Sequence, residues 1–169
     1  MSLQLTFHKT GPSGFGDGRR GDLVLTGGPK EIRSEAFSGG TLNHAGTTAA
    51  IPNGTYTIRL DIRGIATVHN IVADQDDPSI EVLAPFWGIQ QIPESVGGRN
   101  ARWEWGSIRA ALNQTKSETG AAFRGNYLHG KQRPEDYTHG CICERSETIL
   151  RYLLGLNYRQ YGHVTVIVK

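Results

Sequence analysis

At 169 residues, with 37% hydrophobic and 20% charged side chains, the chain has the size for one domain, residues 1–169, with its own hydrophobic core. Its formal net charge is +2 and the charges are mixed along the sequence, with no basic block or aromatic–basic stripe, which argues against a nucleic-acid partner. Two cysteines make no disulfide framework, and no apolar run nears the ~20 residues of a membrane helix, so no membrane insertion is expected.

The 22 glycines, set between short apolar runs, favour a mainly β fold with a few short helices (α+β) over a helical bundle. The opening stretch MSLQLTFHKTGPSG lacks a positive region followed by an apolar one. The expectation is therefore synthesis in the cytoplasm without a cleavable signal, and a different route if the protein works elsewhere. Leu3–His8 alternates apolar and polar residues as a half-buried strand does. Gly16, Gly18 and Gly21 match GxGxxG spacing, but DLVLTGG follows as a second strand rather than a helix, so the segment reads as a hairpin loop. Arg20-Gly21-Asp22 spells an adhesion tripeptide that carries no weight without context.

Residues 34–50 are small and polar and read as loop. Pro52-Asn53-Gly54 marks a turn before a strand, Thr55–Ile62, with Tyr56, Ile58, Leu60 and Ile62 on one face. TVHNIVADQ and SIEVLAPFWGI are two further strand candidates. The alternation of Trp103 and Trp105 suits a strand, and SIRAALNQ reads as a short helix. GNYLHG reads as a strand entering a turn, and KQRPEDYT as a polar loop. Ile149, Leu150, Leu153, Leu154 and Leu156 form a helical stripe with Ser146 as its N-cap. GHVTVIVK is a closing β-branched strand.

The chemistry concentrates at 129–147, HGKQRPEDYTHGCICERSE, where both cysteines and two of six histidines fall. A cysteine nucleophile needs a thiolate, an imidazole to take its proton, and donors for the oxyanion. Cys141 follows Gly140, lies near the predicted helix N-terminus, and has His129 at the end of a preceding strand. His139 is a second imidazole that would face the same side in an extended segment. A zinc site from His129, His139, Cys141 and Cys143 has suitable ligand types but lacks the usual Cys-x₂₋₄-Cys knuckle. A Cys141–Cys143 disulfide would close a very tight ring. Two buried structural cysteines with two surface histidines are the remaining alternative.

The pattern His129-Gly130-x₈-His139-Gly140-Cys141-Ile142, followed by a helix and a strand, resembles the signature of the L,D-transpeptidase catalytic domain. Ile51–Ile58, IPNGTYTI, is similar to that family's TPxGxYxI segment. The resemblance covers 51–62 and 124–169 and implies a β-sandwich or barrel with one C-terminal helix before the last strand. It implies a thioester acyl-enzyme on Cys141 and peptidoglycan stem peptides as substrate, and it implies no metal or organic cofactor. By the same resemblance His129 is the general base, oriented by the Gly130 carbonyl. His139 flanks the nucleophile, and the N–H groups of Gly140 and Cys141 form the oxyanion hole.

Thr138 stands for the family's usual serine, and Cys143 stands where the family has arginine, a role that Arg145 or Arg124 would have to assume. Arg124, Arg145, Tyr127 and Thr138 are the expected substrate-binding residues. The short inter-histidine loop and small size resemble a compact branch of antibacterial effectors delivered by type VI secretion. That branch acts in a target cell's periplasm and implies a secretion apparatus and an immunity protein as partners. The missing arginine also keeps open a catalytically inactive wall-binding, phage or secretion module on the same scaffold.

Overall fold

The computed structural model describes residues 2–43, 46–47, 49–73, 81–116 and 125–169. The chain is mainly β, as its composition implies. It opens with a meander of β1 (Leu3–Pro12), β2 (Arg19–Thr26) and β3 (Ile32–Ser38). Alternation drives the pairing: Leu5 lies opposite Leu25 and Phe7 opposite Leu23, so one face of the ribbon is apolar. The glycine-rich segment is indeed a hairpin connection, closed by Ser13 N–H to Gly18 O at 3.1 Å and Gly18 N–H to Phe15 O at 2.9 Å. Gly21 belongs to β2 rather than to the loop, and the tripeptide Arg20-Gly21-Asp22 is a paired strand segment. A side chain at Gly21 would run into the His8 carbonyl. Residues 34–38, read as loop from their polarity, complete β3, whose last residues Ala36, Phe37 and Ser38 are buried.

Short strands β4 (Leu42–Asn43) and β5 (Gly46–Thr47) pair with each other. Next come β6 (Gly54–Arg59) and β7 (Arg63–Ile65), then β8 (Ile71–Ala73) paired with β9 (Glu81–Leu83). Of TVHNIVADQ, only 71–73 is strand, since Val68–Asn70 forms a 3₁₀ turn and residues 74–75 lie outside those described. After β10 (Ile89–Gln91), the Trp-rich segment is a single helical turn, α1 (Arg102–Trp105), ended by Gly106 at φ +65°. SIRAALNQ is not a helix: it forms β11 (Ile108–Ala111) and β12 (Asn113–Lys116).

The chain closes with β13 (Tyr127–His129), β14 (Ile142–Cys143), α2 (Thr148–Gly155), α3 (Tyr158–Tyr161) and β15 (His163–Val168). Two helices, not one, precede the last strand. The residue capping α2 is Glu147, at φ +53° with no side-chain cap, instead of Ser146. The Thr148 N–H donates to Ser146 Oγ at 3.4 Å, and the next two free N–H groups, of Ile149 and Leu150, are taken at 3.0 and 3.1 Å by the buried Glu144 carboxylate. A carboxylate there satisfies both the orphan donors and the helix dipole.

Among the described residues eleven strands form one sheet in the order β12-β6-β15-β1-β2-β3-β14-β13-β11-β10-β7. Only Leu112 separates β11 from β12, so one nearly continuous strand pairs with β13 through its first half and with β6 through its second. The sheet thereby curls back on itself around a core. Leu3, Leu5, Phe7, Leu23, Leu25, Ile58, Val164 and Val166 meet Ala110, Leu128 and Ile142 in one apolar cluster that also takes Ile149, Leu150 and Leu153 of α2. A smaller cluster of Ala66, Leu83, Ile92 and Val96 packs beside Trp105.

Candidate active site

Strands β11, β13 and β14 lie side by side, and their registers build the site. Arg109 is opposite His129, which is opposite Cys143; Ala110 aligns with Leu128 and Ile142; Ala111 aligns with Tyr127. Because side chains alternate across a sheet, Ala110, Leu128 and Ile142 enter the main core, whereas the odd-numbered neighbours share the other face. Cys141 precedes Ile142 and sits beside Tyr127, whose N–H donates to its Sγ at 3.3 Å. One face therefore carries two adjoining rows, Arg109–His129–Cys143 and Ala111–Tyr127–Cys141. Trp105 covers them, its ring centroid 5.2 Å from Tyr127 and 5.0 Å from His129.

His129 is buried and its Nδ1 hydrogen bonds to the Gly130 carbonyl. That bond assigns the proton to Nδ1 and leaves Nε2 as an acceptor. Burial lowers its pKa to about 4, with the Lys131 and Arg109 cations adding to the effect, so the ring is neutral at pH 7. Gly130 is a glycine because a Cβ there would lie 2.6 Å from the Glu147 carboxyl carbon. Glu147 in turn accepts from the Ser107 N–H at 3.1 Å and from its hydroxyl at 2.7 Å.

The Cys141 thiol is 8% exposed and donates to the Gly125 carbonyl at 3.9 Å. Burial pushes it up to about 11, against the opposing pull of the Tyr127 N–H and the Arg109 and Lys131 cations. His129 and Cys141 are thus a neutral imidazole on β13 and a protonated thiol immediately before β14. Among the described residues neither is hydrogen bonded to the other. The helix N-terminus expected to favour the thiolate is occupied by Glu144. Cys143 is wholly buried, opposite His129, and burial drives its thiol far up. Both cysteines are free. Among the described residues no three His, Cys, Asp or Glu side chains are grouped to hold a metal ion.

The turn 138–141 is fastened by Thr138. Its hydroxyl donates to the Cys141 carbonyl at 2.6 Å and accepts from the N–H groups of Gly39 (2.8 Å) and Gly140 (3.2 Å). Thr138 is buried and acts on the backbone, which is an architectural role rather than the expected substrate contact. The Gly140 N–H is already engaged, so an oxyanion would have to compete with a hydroxyl for it. Gly140 adopts φ +111°, which explains the glycine and also means that the segment is not extended. His139 is exposed while Cys141 is buried, so the two do not share a side as expected.

The loop 131–137 is tied down by charge. The Lys131 ammonium, side chain 2% exposed, pairs with Glu104 at 3.3 Å, and Arg133 reaches the same carboxylate at 2.6 Å. Asp136 accepts from Arg20 at 2.8 Å and from Arg145 at 2.7 Å. Arg145 also lies over the Phe37 ring, and its Nη2 is buried without a hydrogen-bond partner among the described residues, so it braces the loop. Tyr127 is 3% exposed, and its hydroxyl accepts from the Phe86 N–H at 2.9 Å; it packs behind the thiol. Arg124 lies outside the described residues.

Arg109 completes the first row of this face and belongs to no motif in the sequence. The side chain is 0% exposed, with its guanidinium carbon 4.7 Å from the Trp105 ring centroid and 4.4 Å from that of Tyr127. It donates to Gln90 Oε1 at 2.8 Å and to the Ala84 carbonyl at 2.5 Å, and its Nη1 is buried without a hydrogen-bond partner among the described residues. The signal was present as a lone arginine inside the apolar run IRAAL. Reading that run as a helix would have put the charge on a solvated face.

No family model matches this chain, and no curated protein or solved structure is significantly similar to it. Among the described residues no helix is long and apolar enough to cross a membrane.

Proposed function

We propose that the chain is a cysteine-dependent L,D-transpeptidase or L,D-carboxypeptidase acting on peptidoglycan stem tetrapeptides. The observation that carries this reading is the shared face of β13 and β14. There a neutral imidazole, its Nδ1 hydrogen fixed on Gly130, stands beside the strand end that bears Cys141. Such a pair acts without a preformed ion pair. As Sγ attacks the carbonyl carbon of the stem peptide, its proton passes to His129 Nε2. The tetrahedral intermediate collapses to a thioester, and the departing amine takes the proton from the imidazolium. An incoming amine then exchanges or cross-links, or water trims, with His129 again as the base.

Delivery by a secretion apparatus into a target periplasm, and an immunity protein that neutralises the enzyme, belong to the same proposal and rest on the sequence resemblance alone. The test is mass spectrometry of tetrapeptide muropeptides incubated with wild type and Cys141→Ala, with and without free D-amino acids. Products should depend on the thiol; identical product patterns from both proteins would refute the assignment.

A second reading is a catalytically inactive wall-binding module, phage or secretion component. The thiol's burial and its bond to Gly125 rather than to His129 favour it. Wall binding without any carbapenem adduct on Cys141 would support this alternative, and such an adduct would support the enzyme.

A further inference from the structure

Resting on Cys141 as nucleophile, we propose that Arg109 is the positioning cation of the site, a guanidinium fixed across β13 from the thiol that supplies the charge against which Cys141 ionises during attack. Arg109 and Cys141 sit at opposite corners of the two-row face, with Tyr127 and His129 between them. The Tyr127 ring bears the guanidinium on one side, and the Tyr127 N–H bonds the sulfur.

Burying a guanidinium is costly unless an anion compensates it. The two acceptors of Arg109, an amide oxygen and a carbonyl, are neutral, and among the described residues no carboxylate pairs with it. Its Nη1 has no acceptor among the described residues. Among the described residues the charge therefore has no static counterpart, and a thiolate at Cys141 provides a transient one. Burial lowers the Arg109 pKa to about 10, and incipient charge on Tyr127 and Cys141 opposes that shift.

The other groups that face the thiol are differently engaged. Lys131 is neutralised by Glu104 and donates to the Tyr137 carbonyl. His129 is neutral, and the Tyr127 phenol and the Cys143 thiol are both pushed up by burial. Arg145, the cation expected to replace the motif's missing arginine, already holds the Asp136 carboxylate. Among the described residues Arg109 is the buried cation in this row whose charge is not spent on a carboxylate.

The experiment is alkylation of Cys141, read at that residue by peptide mass spectrometry as a function of pH. It needs no wall substrate, so its outcome is separate from that of the muropeptide assay. Arg109→Met should move the pH midpoint of alkylation upward by about one unit, a tenfold slower reaction below the midpoint, and Arg109→Lys should restore most of it. A folded Arg109→Met protein with the wild-type profile overturns the proposal. The wild type provides a second measurement should the methionine variant not fold. Anionic iodoacetate should gain on neutral iodoacetamide at Cys141 by several-fold relative to glutathione. A ratio equal to that of glutathione also overturns the proposal.

Discussion

At the scale of single residues, the site is governed by burial. His129 titrates near 4 in the folded chain against 6.5 when exposed, so between those values the unfolded state binds the extra proton. Its contribution to stability is complete above pH 6.5 and is lost as the pH falls towards 4. Denaturant midpoints taken across that interval should decline in the wild type and decline less in His129→Gln. The Cys141 thiol has the opposite sense. Its pKa is raised from 9.0 to about 11, so its contribution is complete below pH 9 and is lost as the pH rises through 11. For activity, His129→Ala should slow acylation by roughly 10²–10⁴-fold, the usual yield of a general base. Single-turnover acylation by a carbapenem would measure this, and a loss of less than a few-fold would remove His129 from the mechanism.

At the scale of elements, the cysteine is presented by a short strand whose approach is shaped by Thr138. Thr138→Val leaves the Gly39 and Gly140 N–H groups and the Cys141 carbonyl without their shared partner. An unsatisfied buried polar group costs about 1–3 kcal/mol, and the three share one hydroxyl, so a loss of about 2–4 kcal/mol in chemical denaturation is expected. Thr138→Ser should keep most of that stability.

Elements with one wet face were legible in the sequence: β1, β6 and β15 alternate, and α2 carries its apolar stripe. Those buried on both sides were not. All four residues of β11 are buried, including Arg109, so the run has no alternation to read, and its alanines suggest a helix. The tryptophans at 103 and 105 alternate equally well in one helical turn, where Trp103 is 46% exposed. Within the site, the proposed cysteine and base could be picked out from the His-Gly and His-Gly-Cys motif. The cation across the strand could not, because only the register of β11 on β13 brings it there.

At the scale of the whole molecule, one core unites the curled sheet and α2. Leu5→Ala and Ile58→Ala, on β1 and β6, should each cost about 2–5 kcal/mol, as truncations in a well-packed core do. Leu83→Ala, in the smaller cluster beside Trp105, should cost less and leave the main transition cooperative; equal losses at the two places would show that the clusters unfold as one. The parallel seam between β1 and β15 joins residues 3–7 to residues 164–168, and β15 in turn bridges to β6. Contacts so distant in the chain form late and slowly. On a ribosome that has delivered residues up to 155, Cys141, His129 and the buried guanidinium of Arg109 have all been made, yet the wall between β1 and β6 still has a gap one strand wide. The arrival of β15 therefore works as a clock: the strands that carry the proposed site are already made, and the seam between β1 and β6 closes only when β15 takes its place.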